Sequence, residues 1–562
     1  MRNYQYREFI HTFPHFPQIR FLLYLCLSLA IVSCGDDASE ENVPDKGDKI
    51  ELYASLKDYL PNTDFLIGVG MGTDLYMGDE LYSLVVDENF NSMTFENAMK
   101  QGCVVDKDGK YHFDAIDNVL EKLPDNFTIY GHNLIWHAQQ AADYLNGLLV
   151  GKIEFDDTNR KNLLQNGTFD EGIQNWIKFN GPEGCVTWAS DKGLDGGGCL
   201  QVVNVENLDA EWKVQVYSDL LQKVIKDKTL YISFYIRTEA DTEGSVRLST
   251  GIEKDSGNEN YQSSETVGSK WKRVDWAFTA SGNVKGIKID LGKKSGIYLI
   301  DNIIVSLEPP TNLTVEKTDE EKAQIVSDAM ESWIKSMIGH YKGRIKMWEV
   351  LNEPISDNLE IRGVESVPDE VNSDNFFYGK YLGKEYAIKA FKWAKEADPT
   401  ALLFINDYNL EYNEAKCDKL LEFVNYIEEG GAIVDGIGTQ MHIDISLDKQ
   451  KIVKMFEKLK ATGKLIRISE LDIKVKTPFP SEQILKIQAE MYRYVIRKYL
   501  EIIPENQQAG ITFWLLSDNS KEHQYWIPND APCLFDASYN RKIAYKGVCD
   551  GLQGRDISLD FD

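Results

Sequence analysis

The chain has 562 residues, 43% hydrophobic and 27% charged, enough apolar material for several domains or one large barrel with an accessory module, which excludes a disordered chain and a polytopic membrane protein. Acidic residues number 89 against 61 basic, a formal net charge of −28, and a surface of that sign repels phosphate backbones, so nucleic acid is not expected as a partner. Aromatic residues reach 11%, with 11 Trp and 28 Tyr, which suits stacking on flat, weakly polar ligands such as sugars as well as filling a large core.

At the front, Arg2, Arg7 and Arg20 precede an apolar run over 21–32. The run is too short to span a bilayer and has the length of a signal-peptide core. It closes on Ile31-Val32-Ser33-Cys34, which resembles the lipobox of bacterial lipoproteins. That resemblance implies a lipid on Cys34 and membrane contact only through the anchor, and the acidic pair Asp36-Asp37 just after it resembles the surface-export pattern of bacterial lipoproteins, which implies the outer-membrane cell surface. The alternative is a plain secretory signal with a chance Ser-Cys pair. Residues 1–33 are thus read as a signal and 34–49 as an acidic tether with little to bury. Beyond Cys26 and Cys34, the cysteines are Cys103, Cys185, Cys199, Cys417, Cys533 and Cys549. No CxxC or His-rich spacing joins them, and no metal or cofactor is expected. Cys185 and Cys199 are candidates for a disulfide outside the cytoplasm, and the pairing stays open.

From Phe65 onward, short apolar runs alternate with longer amphipathic ones, the pattern of βα units around a parallel sheet. Strands are expected over 65–70, 90–94, 128–135, 345–351, 401–405, 436–441, 464–469 and 511–515. Helices are expected over 320–338, 383–397, 418–429, 448–461 and 481–499. Eight strands alternating with helices point to a closed (β/α)8 barrel, whose site lies at the C-terminal strand ends. The interval between the third strand and the helix near Glu320 far exceeds a βα loop. Alternating runs such as 229–237, 271–278 and 298–305, separated by Gly- and Asn-rich turns, make it an inserted antiparallel sandwich. The expected parts are therefore barrel 50–160, sandwich 161–308, barrel 309–550 and a tail 551–562.

Two strand ends carry carboxylates: Trp348-Glu-Val-Leu-Asn-Glu-Pro354 and Ile466-Arg-Ile-Ser-Glu-Leu-Asp472. A period of two places Ile466, Ile468 and Glu470 on one face, so Glu470 is expected to follow an apolar barrel-lining stripe into the mouth. Two carboxylates facing each other across a barrel are what retaining glycoside hydrolysis needs. Either motif alone fits a rim salt bridge as well.

The other strand ends narrow the choice. Phe90-Asn-Ser-Met-Thr-Phe-Glu-Asn-Ala-Met-Lys100, Gly131-His-Asn-Leu-Ile-Trp-His137, Asn406-Asp-Tyr-Asn409, Gln440-Met-His442 and Thr512-Phe-Trp514 through Asp518 follow in an order that resembles the xylanases of glycoside hydrolase family 10. The resemblance implies a barrel endo-1,4-β-xylanase acting on xylan and xylo-oligosaccharides with retention. Glu353 would be the acid/base and Glu470 the nucleophile. Asn352, Gln440, His132, His442 and Asp472 would support them. Glu96, Asn97, Lys100, Trp136, Trp514 and Trp526 would bind the glycone sugars, and Tyr408 the leaving-group side. Departures from the family pattern are Gln101 where Trp is usual, which puts the outer glycone pocket in question, and Glu349 where Asp is usual. His137 is read as structural, and Asp407 and Asp435 as loop carboxylates. Another β-1,4-glycan, or a weakly catalytic surface glycan binder, are the competing readings.

The insert opens with Asn162-Leu-Leu-Gln-Asn-Gly-Thr-Phe169 and resembles carbohydrate-binding modules of families 4 and 22, which implies a jelly-roll sandwich. Trp188, Trp212 and Tyr217 are its candidate ligand aromatics. Other surface glycan-handling proteins are conceivable partners.

Overall fold

Eight parallel strands close into a barrel: β1 (Ile67–Met71), β2 (Ser92–Phe95), β3 (Thr128–Gly131), β4 (Met347–Asn352), β5 (Leu402–Asp407), β6 (Gly436–Thr439), β7 (Leu465–Lys474) and β8 (Gln508–Trp514). Each strand pairs with the next in chain order, and β8 returns to β1 with Gly70 opposite Trp514. The computed structural model describes residues 49–366, 372, 374–523 and 526–561, so the signal segment and Cys34 lie outside the described residues. Among those residues no helix is long and apolar enough to cross a membrane.

Two side-chain layers fill this architecture. One face of each strand packs under the helices. In helix Asp319–His340, opened by a capping box on Thr318, the buried Met330, Trp333, Ile334 and Met337 recur at helical spacing, and the Trp333 indole donates to the carbonyl of Leu134 at 2.6 Å. The other face fills the lumen, where Tyr130, Met347, Phe404 and Ala509 gather with Leu66, Leu402 and Leu465.

The expected stripe on β7 is wrong. Ile466 and Ile468 belong to the core between strands and helices. Arg467 faces the lumen instead, bonding the Ala509 carbonyl at 2.6 Å and the Thr512 hydroxyl at 2.7 Å, and lying 4.5 Å over Tyr130. Against β8, Ile468 pairs with Ile511 and Leu471 with Phe513. One extra residue in β7 forms a bulge there and shifts the alternation, so Ser469 and Glu470 both reach the lumen side. A comparable irregularity between Glu349 and Leu351 brings Asn352 opposite Asn406.

The third strand is shorter than expected, ending at Gly131 before a single bridge from Ile135 to Leu351. After helix Ala142–Leu149 the chain leaves the barrel along an antiparallel ribbon, Lys152–Asp156 against Thr311–Val315, with Thr311 opposite Asp156. The ribbon leads to two five-stranded antiparallel sheets. Trp176, Val216, Phe234, Leu248, Ile287 and Ile300 pack between them. Asp157 anchors the ribbon: Arg160 and Arg273 each reach its carboxylate at 2.7 Å, and Arg273 lies 4.0 Å over Phe155. The six described cysteines are free thiols. Cys199 pairs with Ala189 across two strands, whereas the Cys185 carbonyl accepts from Val203, four residues further along. That offset, roughly 13 Å of strand, exceeds disulfide reach.

Candidate active site

The lumen side chains at the strand ends form one hydrogen-bonded ring. Glu470, 5% exposed, accepts from Asn406 Nδ2 at 2.9 Å and faces His442 Nε2 at 3.2 Å. Asn406 Nδ2 also reaches Asn352 Oδ1 at 3.2 Å, and Gln440 Nε2 spans from that same Oδ1 at 3.2 Å to Glu353 Oε1 at 3.1 Å. Three amides thus bridge the two glutamates. With its oxygen fixed twice, Asn352 has an amide nitrogen that these two bonds leave unused as a donor. Gly438 makes this possible, since a Cβ there would meet Asn406 Oδ1 at 2.3 Å.

Glu353 stands just past β4 with φ of 51°, a left-handed conformation that costs a non-glycine residue about 1–3 kcal/mol. Its N–H is held by the Asn406 carbonyl at 2.9 Å. The next turn is pinned by Asp407, whose carboxylate accepts from Ile355 N at 3.0 Å and pairs with buried Lys416 at 3.1 Å. Burial, opposed by Lys416 and aided by Glu353, pushes the Asp407 carboxyl up to about 7.

The two glutamates live in different fields. His442 donates from Nδ1 to Asp472 at 2.7 Å, and Asp472 Oδ2 also accepts from the Trp526 indole at 2.9 Å. Burial disfavours the imidazolium, but Asp472 and Glu470 outweigh it and lift the His442 pKa to about 10. Burial alone would raise the Glu470 carboxyl. The His442 hydrogen bond, with charge from His132 and Lys100, reverses this and leaves it below the ordinary range. Glu470 is therefore an anion held by a cation, whereas among the described residues the Glu353 carboxylate is held by the neutral Gln440 amide. Glu349, fully buried, bonds His132 Nδ1 at 3.0 Å, and its carboxyl is raised by burial despite that histidine, with Glu470 adding to the rise.

Lys100 Nζ donates to Asn97 at 3.0 Å and Gln139 at 2.6 Å, and lies 4.8 Å from the Trp136 ring. Burial lowers its pKa and raises that of Glu96. Gln101 leaves this cluster intact: it turns away to accept from Tyr378 at 3.1 Å and Ala141 N at 3.4 Å. His442 stands 4.5 Å from Trp526 and 6.2 Å from Trp514 between ring centroids. Tyr408 accepts from Arg362 at 2.7 Å. His137, stacked on Phe377, is buried to a pKa of about 3 and stays neutral. Asp435 serves Leu403 N and Lys395. Asn406, Gln139 and Arg362 were not singled out from sequence. Asn406 opens the Asn-Asp-Tyr-Asn motif, which was the available signal.

The module's three candidates do not meet. Tyr217, 7% exposed, lies on the outer face of one sheet, its ring over Gly286 and 5.6 Å from Phe179. Beside it are Lys288, 5.1 Å from Phe179, and Arg247, 5.1 Å from Tyr261 and paired with Asp290 at 2.7 Å. Trp188 sits on the other sheet with its indole donating to the Phe169 carbonyl, and Trp212 is exposed between strands. Phe179 and Tyr261, both half exposed, escaped the sequence reading because strand alternation alone does not say which face is covered.

A glutamate anion and a second, differently held glutamate at the mouth of an eight-stranded barrel define a glycoside hydrolase of the barrel class. The chain belongs to glycosyl hydrolase family 10, whose model matches residues 55–179 and 308–551, and a carbohydrate binding domain model matches 161–294. It is 32% identical over 251 residues to endo-1,4-beta-xylanase A of Cellvibrio japonicus, covering 40% of this chain and 39% of that protein. To endo-1,4-beta-xylanase B of Thermotoga neapolitana it is 34% identical over 226 residues, 39% of this chain and 60% of that one. To exoglucanase XynX of Acetivibrio thermocellus it is 31% identical over 245 residues, 42% and 20% respectively. The chain thus covers less than two thirds of these relatives. The native xylanase 10B from Thermotoga maritima superposes with a TM-score of 0.52 at 20% identity, covering 89% of this chain and 98% of that one.

Proposed function

We propose that the protein is an endo-1,4-β-xylanase that cleaves xylan and xylo-oligosaccharides with retention of configuration. The observation that carries this is the unequal footing of the two glutamates. Glu470, ionised against the His442 imidazolium, attacks the anomeric carbon while Glu353 protonates the departing oxygen; water, deprotonated by Glu353, then releases the sugar from Glu470. Lys100, Asn97 and Trp136 hold the glycone, Trp514 and Trp526 wall the reacting sugar, and Tyr408 supports the leaving group. The outer face bearing Phe179, Tyr217 and Tyr261 would hold a second stretch of the same polysaccharide, raising its local concentration at the cleft. Proton NMR of xylotetraose hydrolysis tests the reading: the first product anomer should be β, and an α anomer would overturn it.

The exoglucanase relative favours testing a glucan as well. Reducing-sugar release should be far greater from xylan than from carboxymethyl-cellulose. Export and lipidation at Cys34 are part of the proposal, supported by the basic start, the apolar run over 21–32 and the Ser-Cys closing it. Cys34→Ala should move the protein from membranes to the soluble fraction, and retention in membranes would reject the anchor.

A further inference from the structure

We propose that Glu522 and His523 are positioning residues, two adjacent buried side chains that brace, one each, the two tryptophans walling the reacting sugar. This rests on the xylanase reading, which makes Trp514 and Trp526 those walls, and adds what holds them in place.

Each tryptophan is followed by a residue in a conformation that an L side chain resists. Leu515, after Trp514, has φ of 66°, and Ile527, after Trp526, has φ of 49°. Such a kink costs energy at any non-glycine residue and most at a β-branched one, and it persists only where its surroundings over-determine it. It also turns backbone N–H and C=O groups out of regular structure, and buried groups of that kind need partners.

Neighbouring residues supply those partners in opposite senses. Glu522 collects donors behind the first kink: Leu516 N at 2.8 Å on one oxygen, and Ser517 N at 3.2 Å together with the Ser517 hydroxyl on the other. The Tyr82 hydroxyl, from helix Glu80–Asn89, donates to Glu522 at 3.4 Å and ties the brace to the body of the barrel. His523 collects acceptors at the second kink. Its Nδ1 lies 3.1 Å from the Trp526 carbonyl and 3.3 Å from that of Ile527, and its Nε2 lies 2.8 Å from the Ser517 carbonyl. Ser517 is thus gripped through its N–H and hydroxyl by one residue and through its carbonyl by the next, which couples the two kinks. Both bracing side chains are buried. Trp514 and Trp526 meet in one apolar cluster with Leu515 and Cys533, so a displaced kink moves a ring instead of being absorbed by solvent.

The experiment uses the full chain with its 11 tryptophans replaced by fluorotryptophan. Trp514→Phe and Trp526→Phe assign the two fluorine resonances that matter. Glu522→Gln turns an amide NH2 toward backbone donors and should move the Trp514 resonance most. His523→Gln loses the bridge between carbonyls and should move that of Trp526 most, with the remaining indoles unchanged in both. On xylotriose each variant should raise KM about five- to tenfold and change kcat less than about twofold. Because His523 acts through Trp526, adding His523→Gln to Trp526→Phe should raise KM less than about twofold further. Unmoved Trp514 and Trp526 resonances, KM effects that multiply fully in the double variant, or a fall in Tm and kcat with KM intact would each overturn the assignment. Tyr82→Phe, which removes one bond from Glu522, covers a glutamine variant that does not fold: the Trp514 resonance should still shift, and its silence would count against the brace. A wild-type chain that leaves xylotriose uncut would strike the xylanase reading instead, while the fluorine shifts test the brace by themselves.

Discussion

Trp526 donates its indole N–H to Asp472 Oδ2 at 2.9 Å, the oxygen that also receives His442 Nδ1 at 2.7 Å. One carboxylate oxygen therefore fixes both the Trp526 ring beside the imidazole and the charge of the imidazole that faces Glu470.

Replacing Asp472 with Asn keeps the shape and removes the charge. His442, lifted from 6.5 to about 10 by its carboxylate neighbours despite burial, should then lose its proton roughly 2 pH units earlier, and Glu470 loses its donor. The alkaline limb of kcat/KM moves down accordingly. Stability follows the same sign. A pKa raised on folding stabilises fully below about 6.5 and is lost as pH climbs towards 10, so the decline of Tm over that window should flatten in the variant. An unmoved limb would show that Asp472 does not hold the charge.

Asn406→Ala removes the amide that joins Glu470, Asn352 and Ser469. Loss of alignment between the two glutamates should reduce kcat about 10- to 100-fold with a smaller change in KM. A drop confined to KM would place Asn406 in substrate binding alone.

The ring around these residues shows what a sequence discloses and where it stops. Helix and strand periods pointed to the barrel, the oversized third interval to the insert, and the resemblance of short motifs to family 10 singled out Glu353, Glu470, His442 and Asp472, which the structure brings into one hydrogen-bonded ring. The facing of β7 was misread because a period of two holds only for an unbroken ladder, and one bulge residue reverses it. Asn406 and Arg362 were missed for a related reason: their importance lies in partners 64 and 46 residues away, separations that no local pattern records. The module's outer-face aromatics were partly legible, since Tyr217 was named from its strand while Phe179 and Tyr261 depend on which sheet face is left open.

Glu353→Ala should leave hydrolysis of an activated aryl xyloside limited by breakdown of the glycosyl enzyme. Azide, needing no general base, should restore turnover and yield the β-azide, consistent with two inversions at the anomeric carbon. An α-azide would require a single displacement and reject Glu470 as nucleophile.

Gly70→Ala tests the packing of the Trp514 ring, the proposed wall of the reacting sugar. A Cβ at this position of β1 would lie 2.6 Å from the Trp514 ring, closer than any relaxed contact. The indole must shift, costing about 1–3 kcal/mol of stability and raising KM for short oligosaccharides. Wild-type Tm and KM would mean that Trp514 has room to move and is not held by β1.

The ribbon offers a way to remove the module without opening the barrel. Asp156 and Thr311 are directly opposed in an antiparallel pair, so an Asn-Gly turn in place of residues 157–310 would close Lys152–Asp156 and Thr311–Val315 into an ordinary two-residue hairpin. Both barrel connections keep their path, from helix Ala142–Leu149 into helix Asp319–His340. The shortened enzyme should cleave soluble xylo-oligosaccharides within about twofold of the full chain, because every lumen residue is retained, yet lose about tenfold or more on insoluble xylan if the module supplies local concentration. Equal activity on both substrates would leave the outer face of Phe179, Tyr217 and Tyr261 without a role in attack on the polymer.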